Sequence, residues 1–287
     1  MPELPEVETI VSGLKTKIAG KKIKQIEIRD NKVIATKKDD FLKQVLGKIV
    51  KSISRRAKIV VIELAEEKFL LIHLKLTGQL VYHPYHGAII AGGHSIAHIG
   101  KALPNKFTRA IFIFDDQSKL YFNDVRRFGW IKLVDKINLE KIKADLGVEP
   151  LSKGFTLEKF QEILAHKKNT TIKTCLMEQK YLAGLGNIYS DEALFAARIK
   201  PTRIVKTLSE NEIKKLWQVI PRILKYSIKH RGTSFADYVD VEGEVGNFIR
   251  YLKVYGREGE KCYGCRGVIK KVKIGGRSSH FCEKCQR

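Results

Sequence analysis

A chain of 287 residues with 44% hydrophobic content has room for two cored domains and is not disordered. Its 54 lysines and arginines against 31 acidic residues give a formal charge of +23, a self-repelling surplus that points to a polyanionic partner, nucleic acid before a ribosomal setting or an anionic membrane surface. No apolar run approaches the ~18 residues of a membrane span, and the acidic start lacks a signal peptide's basic and apolar regions, so no membrane association and a cytoplasmic setting are expected.

The chain opens Met1-Pro2-Glu3-Leu4-Pro5-Glu6-Val7-Glu8. Pro2 is a small second residue, so removal of Met1 is expected, leaving the proline ring nitrogen as the α-amine. Such an amine titrates near about 8 against about 10.4 for lysine, so more of it is unprotonated and nucleophilic at neutral pH. Attack on a carbonyl carbon would give an iminium cation, with the Glu3 carboxylate held beside it for proton transfer. The same residues also read as an ordinary helix start, since proline suits a first turn and Val7, Ile10, Val11, Leu14 and Ile18 fall at helical spacing.

After Gly20 the period changes. The stretches 22–28, 59–64 and 69–74 are short, apolar and β-branched, and 110–114 with 120–122 across Asp115-Asp116-Gln117-Ser118 reads as a hairpin. A helix plus β-sandwich or barrel is expected over residues 1–134. Between His83 and Asn105, a glycine-, alanine- and histidine-rich stretch has no regular ligand spacing and reads as a mobile loop. Residues 135–250 turn helical, over 156–165, 170–179, 189–197 and 210–229, with Ser209 or Thr207 able to cap the last. Ala183-Gly184-Leu185-Gly186-Asn187 is either a helix-helix turn or a phosphate cradle at a helix start. The class is α+β.

Three further features carry chemistry. Arg126-Arg127-Phe128 in Asn123 through Trp130 pairs guanidinium groups with a ring able to wedge into a base step, and Leu76 could be a second wedge or a routine strand end. Lys58 follows Arg55-Arg56 at a strand start, a place that also suits a solvated lysine. Cys262, Cys265, Cys282 and Cys285 read C-x2-C-x16-C-x2-C, the spacing of a four-thiolate zinc site. Four sulfurs close a tetrahedron, so one structural zinc is expected, holding a module over 251–287 too small for its own core. Cys175 is expected in the core.

Together Pro2 through Glu8, the Arg-Arg-Ala-Lys ending at Lys58, Asn123 through Gly129, Leu182 through Tyr189, Val254 through Arg257 and the terminal cysteine module resemble bacterial formamidopyrimidine-DNA glycosylase along essentially the whole chain. The resemblance implies a β-sandwich domain, a helix-two-turn-helix domain and a zinc finger, with DNA in the cleft between domains. It implies Pro2 as the nucleophile forming a Schiff base at C1′, Glu3 as acid/base, Lys58 as proton donor in β-elimination and Arg277 in δ-elimination. Arg126 would face the orphaned cytosine, Phe128 and Leu76 fill the vacated stack, Arg127 and Lys173 contact DNA, and Asn187 grip phosphate. The implied partner is double-stranded DNA carrying 8-oxoguanine or formamidopyrimidines, met by a monomer. Leu76, Phe107 and Asn169 depart from the methionine, histidine and lysine common at those places. The rivals are an endonuclease VIII-like enzyme acting on oxidised pyrimidines and a non-catalytic zinc-ribbon protein that binds nucleic acid.

Overall fold

A computed structural model describes residues 1–86, 103–233 and 247–287 in full, and strands 90–94 and 238–239 as backbone. The chain divides into two compact units: Met1–Lys143 with His230–Ile249, and Ala144–Lys229 with Arg250–Arg287.

The first unit begins with α1 (Leu4–Ile18), whose Val7, Ile10, Val11, Leu14 and Ile18 are wholly buried. Each contributes roughly 1.5–3 kcal/mol by leaving water. Around it stand two antiparallel sheets. One runs β1-β7-β8-β5-β6-β10, comprising Ile23–Ile28, Thr108–Phe114, Lys119–Asp124, Gly78–His83, Ile90–His94 and Tyr238–Val239. The other runs β2-β3-β4-β9, comprising Val50–Arg56, Ile59–Leu64, Lys68–His73 and Trp130–Asp135. Leu80, Phe112 and Phe122 from the first sheet and Val60, Ile62, Leu70, Ile72 and Ile131 from the second share one core with α1, so the expected sandwich forms with its helix as part of the filling.

Two short helices join these elements without having been expected, α2 (Lys38–Val45) and α3 (Lys136–Ala144). Each is mostly polar: α2 buries Phe41 and Val45, and α3 buries Leu139, too few for a periodic signal. The stretch between His83 and Asn105, expected as a loop, contains β6, whose Ile90 to Gly93 pair with Tyr82 to Gln79. Ala91-Gly92-Gly93 has no alternation to betray a strand, and its pairing is made by backbone groups. Residues 84–86 and 103–105 are outside any strand or helix, and the remainder of that expectation, 87–89 and 95–102, lies outside the described residues.

The second unit holds α4 (Leu157–His166), α5 (Ile172–Met177), α6 (Asn187–Ala197) and α7 (Glu210–Lys229), then the hairpin β11 (Ile269–Ile274) and β12 (Arg277–Cys282). Thr156 caps α4 by accepting from the Lys159 N–H, and Thr171 caps α5, which is shorter than its expected span. Ser209 closes α7 with a reciprocal box, its N–H donating to Glu212 Oε2 at 2.8 Å while Ser209 Oγ accepts from the Glu212 N–H at 3.3 Å. Buried Leu216, Ile220 and Leu224 of α7 share a stripe, and the buried Tyr189 hydroxyl of α6 meets Ser227 Oγ at 2.5 Å. Among the described residues no helix is long and apolar enough to cross a membrane.

Candidate nucleic-acid site and metal centre

The N-terminal residues are locked rather than frayed. Glu3 is the N-cap of α1 and forms a capping box with Glu6, whose Oε2 accepts from the Glu3 N–H at 2.8 Å. Glu6 Oε1 also accepts from Thr233 N–H at 2.9 Å and Thr233 Oγ1 at 3.0 Å. Gly232 makes that approach possible, since a Cβ there would lie 2.8 Å from Glu6 Oε1. Pro2 is buried and Glu3 only 2% exposed, so the carboxylate next to the proline is held out of bulk water.

Lys58, 6% exposed, sits in the turn between β2 and β3. His73 lies nearby: it pairs with Ile59, the residue that follows Lys58, and the Lys58 charge acts on its ring. Burial, aided by the positive charges of Lys75 and Lys58, pushes the His73 imidazole down to about 3. His73 is therefore neutral at physiological pH, and its Nδ1 accepts from the Lys75 N–H at 2.9 Å. That bond fixes the tautomer, leaving Nε2–H as a donor. His73 was not singled out in the sequence, because a lone histidine at a strand end carries no pattern.

Leu76 and the Arg126-Arg127-Phe128 loop are joined by one buried carboxylate. Asp124, wholly buried at the end of β8, accepts from Thr77 Oγ1 and from the Gly129 N–H at 2.7 Å and the Arg126 N–H at 3.2 Å. Thr77 Oγ1 in turn accepts from the Arg126 N–H at 2.9 Å. Two glycines let the loops close: a Cβ at Gly78 would lie 2.4 Å from the Leu74 carbonyl oxygen, and one at Gly129 would lie 2.7 Å from Phe122. The rim then stands out: Val125, Arg126, Arg127 and Phe128 are all exposed, Phe128 by 51%. Arg126 lies over the Phe128 ring at 4.9 Å, and Arg127, at φ 58°, pairs with Asp30 at 2.7 Å. Half-buried Leu76 lies in the tight loop from Leu74 to Gly78, closed by the Gly78 N–H donating to the Leu74 carbonyl at 2.8 Å.

In the second unit a buried network organises the start of α6. Asp191 Oδ1 accepts from Lys173 Nζ at 2.6 Å and from Ser279 Oγ, while Oδ2 accepts from the His280 N–H at 2.8 Å. Lys173 Nζ also donates to the Asn187 carbonyl at 2.9 Å, and Asn187 Nδ2 donates to the Ser278 carbonyl at 2.8 Å. Lys173, expected at the DNA, is 1% exposed and makes both of these bonds, so on this geometry it holds the first turn of α6. Among the described residues the buried Asn187 Oδ1 has no hydrogen-bond partner, and Gly186 before it supplies no side-chain cap. The N-terminus of α6, without a side-chain cap, suits an anionic ligand through its N–H groups and positive dipole end, whereas the orphaned Oδ1, an acceptor, calls for a hydrogen-bond donor. Glu192, one residue beyond Asp191, accepts from the N–H groups of Lys253, Val254 and Tyr255 at 2.9 Å each.

Arg277 is exposed at the tip of the β11–β12 hairpin, where Ile274 pairs with Arg277 across Gly275 (φ 54°) and Gly276 (φ 76°). Both turn residues need positive φ, the demand of a two-residue type I′ connection that glycine meets freely. At the other end of the hairpin the four Sγ atoms of Cys262, Cys265, Cys282 and Cys285 lie within 4.8 Å of one another. Cys262–Cys285 and Cys265–Cys282 are 3.8 Å and 3.4 Å apart, far beyond a disulfide and close to the ~3.8 Å edge of a tetrahedron with Zn–S bonds of about 2.3 Å. The donor set fits one structural zinc with no open position. Cys175 is buried in α5 as expected.

Comparison with known proteins agrees along the chain. Residues 1–131 match the formamidopyrimidine-DNA glycosylase N-terminal domain, 146–238 its H2TH domain, and 259–287 a zinc finger found in FPG and IleRS. A formamidopyrimidine-DNA glycosylase of Pelotomaculum thermopropionicum is 40% identical, covering 100% of this chain and 99% of that protein. One from Streptococcus mutans is 37% identical with 100% coverage of both. A crystal structure of a Lactococcus lactis FPG point mutant in complex with Fapy-dG-containing DNA superposes with a TM-score of 0.88 at 34% identity over 100% of both chains. A Lactococcus lactis Fpg complex with abasic-site DNA gives 0.87 at 34% identity, covering 99% of each.

Proposed function

This chain belongs to the formamidopyrimidine-DNA glycosylase family and is a base-excision-repair glycosylase for oxidised purines; we propose that it acts through an N-terminal proline amine and then nicks the strand. The lesion is flipped from duplex DNA, because C1′ is closed to attack inside the stack. Leu76 and Phe128 fill the space it leaves, and Arg126 meets the orphaned cytosine.

Once Met1 is removed, the Pro2 nitrogen attacks C1′. The N–C1′ bond forms, and the glycosidic pair leaves with the base, which takes up a proton. Opening of the sugar ring, with a proton supplied through Glu3 to the ring oxygen, gives an iminium. Its positive charge acidifies C2′–H, so loss of that proton expels the 3′ phosphate, with Lys58 as proton donor. A second elimination expels the 5′ phosphate, with Arg277 as donor. Neutral His73 beside Lys58 offers its Nε2–H to a phosphate oxygen, as does Asn187 through the first turn of α6. The zinc holds the hairpin that carries Arg277. The lesions are 8-oxoguanine and formamidopyrimidines, and the enzyme acts as a monomer in the cytoplasm.

The observation that supports this reading is a Glu3 only 2% exposed and fixed with Glu6 in a capping box, so that the start of α1 holds a carboxylate directly beside Pro2. Borohydride reduces an iminium to a stable amine, so it should trap the protein covalently on 8-oxoguanine duplex DNA and fail to do so with Pro2→Ala. Trapping of that variant at the wild-type rate would exclude the mechanism.

A further inference from the structure

Lys58 occupies a turn that backbone sterics disfavour. β2 and β3 pair as far as Arg56 with Ile59, so Ala57 and Lys58 alone make the connection. Ala57 lies at φ 51°, in the left-handed region that costs a residue with a Cβ on the order of 1 kcal/mol. Glycine would adopt that conformation freely and is not there.

The Arg55 guanidinium braces the turn. Arg55 Nη1 donates to the Ala57 carbonyl at 3.0 Å, and Arg55 Nε donates to Glu8 Oε2 at 2.8 Å. The Arg55 side chain is only 8% exposed, which shields the ion pair from solvent better than a surface bridge. Glu8 belongs to α1, the helix whose start presents Pro2 and Glu3. One planar fork therefore links the turn bearing Lys58 to the helix bearing the nucleophile. Lysine, a point charge on a flexible stem, could not fix both bonds at a set angle.

We propose that Arg55 and Glu8 form a positioning pair that sets Lys58 against Pro2–Glu3 and so governs strand scission more than base release. The inference deepens the reading above and rests on Lys58 as the proton donor in β-elimination. Base release uses Pro2 and Glu3, which are adjacent in the chain and held at the start of α1 through Glu6. Elimination needs a group from a different element to reach an intermediate anchored at Pro2, and a misplacement of about 1 Å can lower such a step by about 100-fold.

The test is single-turnover kinetics on 8-oxoguanine duplex, with base release and strand scission followed separately and thermal melts recorded alongside. Arg55→Lys and Glu8→Gln should each slow scission about 10-fold or more while base release stays within about 3-fold. The double variant should be no slower than Arg55→Lys, because both changes break one bridge. Adding Ala57→Gly to Arg55→Lys should recover part of the lost scission, since glycine removes the strain that Arg55 restrains; a purely structural arginine would not be rescued this way. Equal losses of release and scission, or losses that multiply in the double variant, would overturn the inference. Lys58→Gln separates the two levels: if it leaves scission at the wild-type rate, the assignment of Lys58 itself fails, and if it slows scission while Arg55→Lys does not, only the positioning role fails.

Discussion

At the scale of single residues, chemistry that resides in residue type and local spacing was legible in the sequence. The four cysteines announce themselves because thiolates at those intervals have few other uses, whereas Pro2-Glu3 reads equally as a helix start and takes its chemical reading from the motifs further along the chain. Asp124, Asp191 and His73 were not legible, since their roles arise from contacts with residues far along the chain, such as Thr77 with Asp124 and Asp191 with Ser279. Two predictions belong here. Lys173→Met should destabilise the protein by about 3–5 kcal/mol in urea titration, because it strips the cation from buried Asp191. His73 has a folded pKa of about 3, below its ordinary 6.5, so the unfolded chain binds the extra proton between those values. Its contribution is fully present above pH 6.5 and is lost as pH falls towards about 3. Urea midpoints at pH 7 and pH 4.5 should therefore differ less in His73→Gln than in the wild type.

At the scale of elements, strong periodicity gave the architecture. α1, the β7–β8 hairpin and α7 fall where apolar spacing put them, because each buries a continuous face. The elements missed were those without a face to read: α2 and α3, with one or two buried residues, and β6, built from Ile90-Ala91-Gly92-Gly93-His94. α6 shows how an element can serve as a joint. Its adjacent Asp191 and Glu192 hold, respectively, the β12 strand and the segment from Lys253 to Tyr255 that leads into the cysteine module. Glu192→Ala would leave three backbone donors without their acceptor, at about 1–3 kcal/mol for each that stays buried. The expected outcome is a loss of about 3 kcal/mol or more in urea unfolding, with earlier exchange of the amide hydrogens of residues 253–255.

At the scale of the molecule, the +23 charge and the metal set the conditions of work. DNA affinity should fall linearly on a log–log plot against salt, by about 0.9 for each phosphate neutralised, and Arg277→Gln should flatten that slope by about one. A mercurial that titrates four thiols should release one zinc per chain, visible in native mass, and abolish DNA binding while the β-sheet signal in circular dichroism persists, because the cysteines contribute nothing to the sandwich core.

The division of the chain has a consequence for its synthesis. The first unit is not continuous: residues 230–249 return to it, bringing Thr233 to Glu6 and the strand Tyr238–Val239 to the edge of β6. A ribosome must therefore make residues 144–229 before the first unit can be finished, a wait on the order of 5–15 s at about 5–20 residues per second. Throughout that interval Glu6 lacks its Thr233 donors and β6 presents an open edge, so a nascent chain paused there is a natural client for a chaperone, and a transcript cut short before the codon for Thr233 would yield a sandwich that cannot complete its own N-terminal lock.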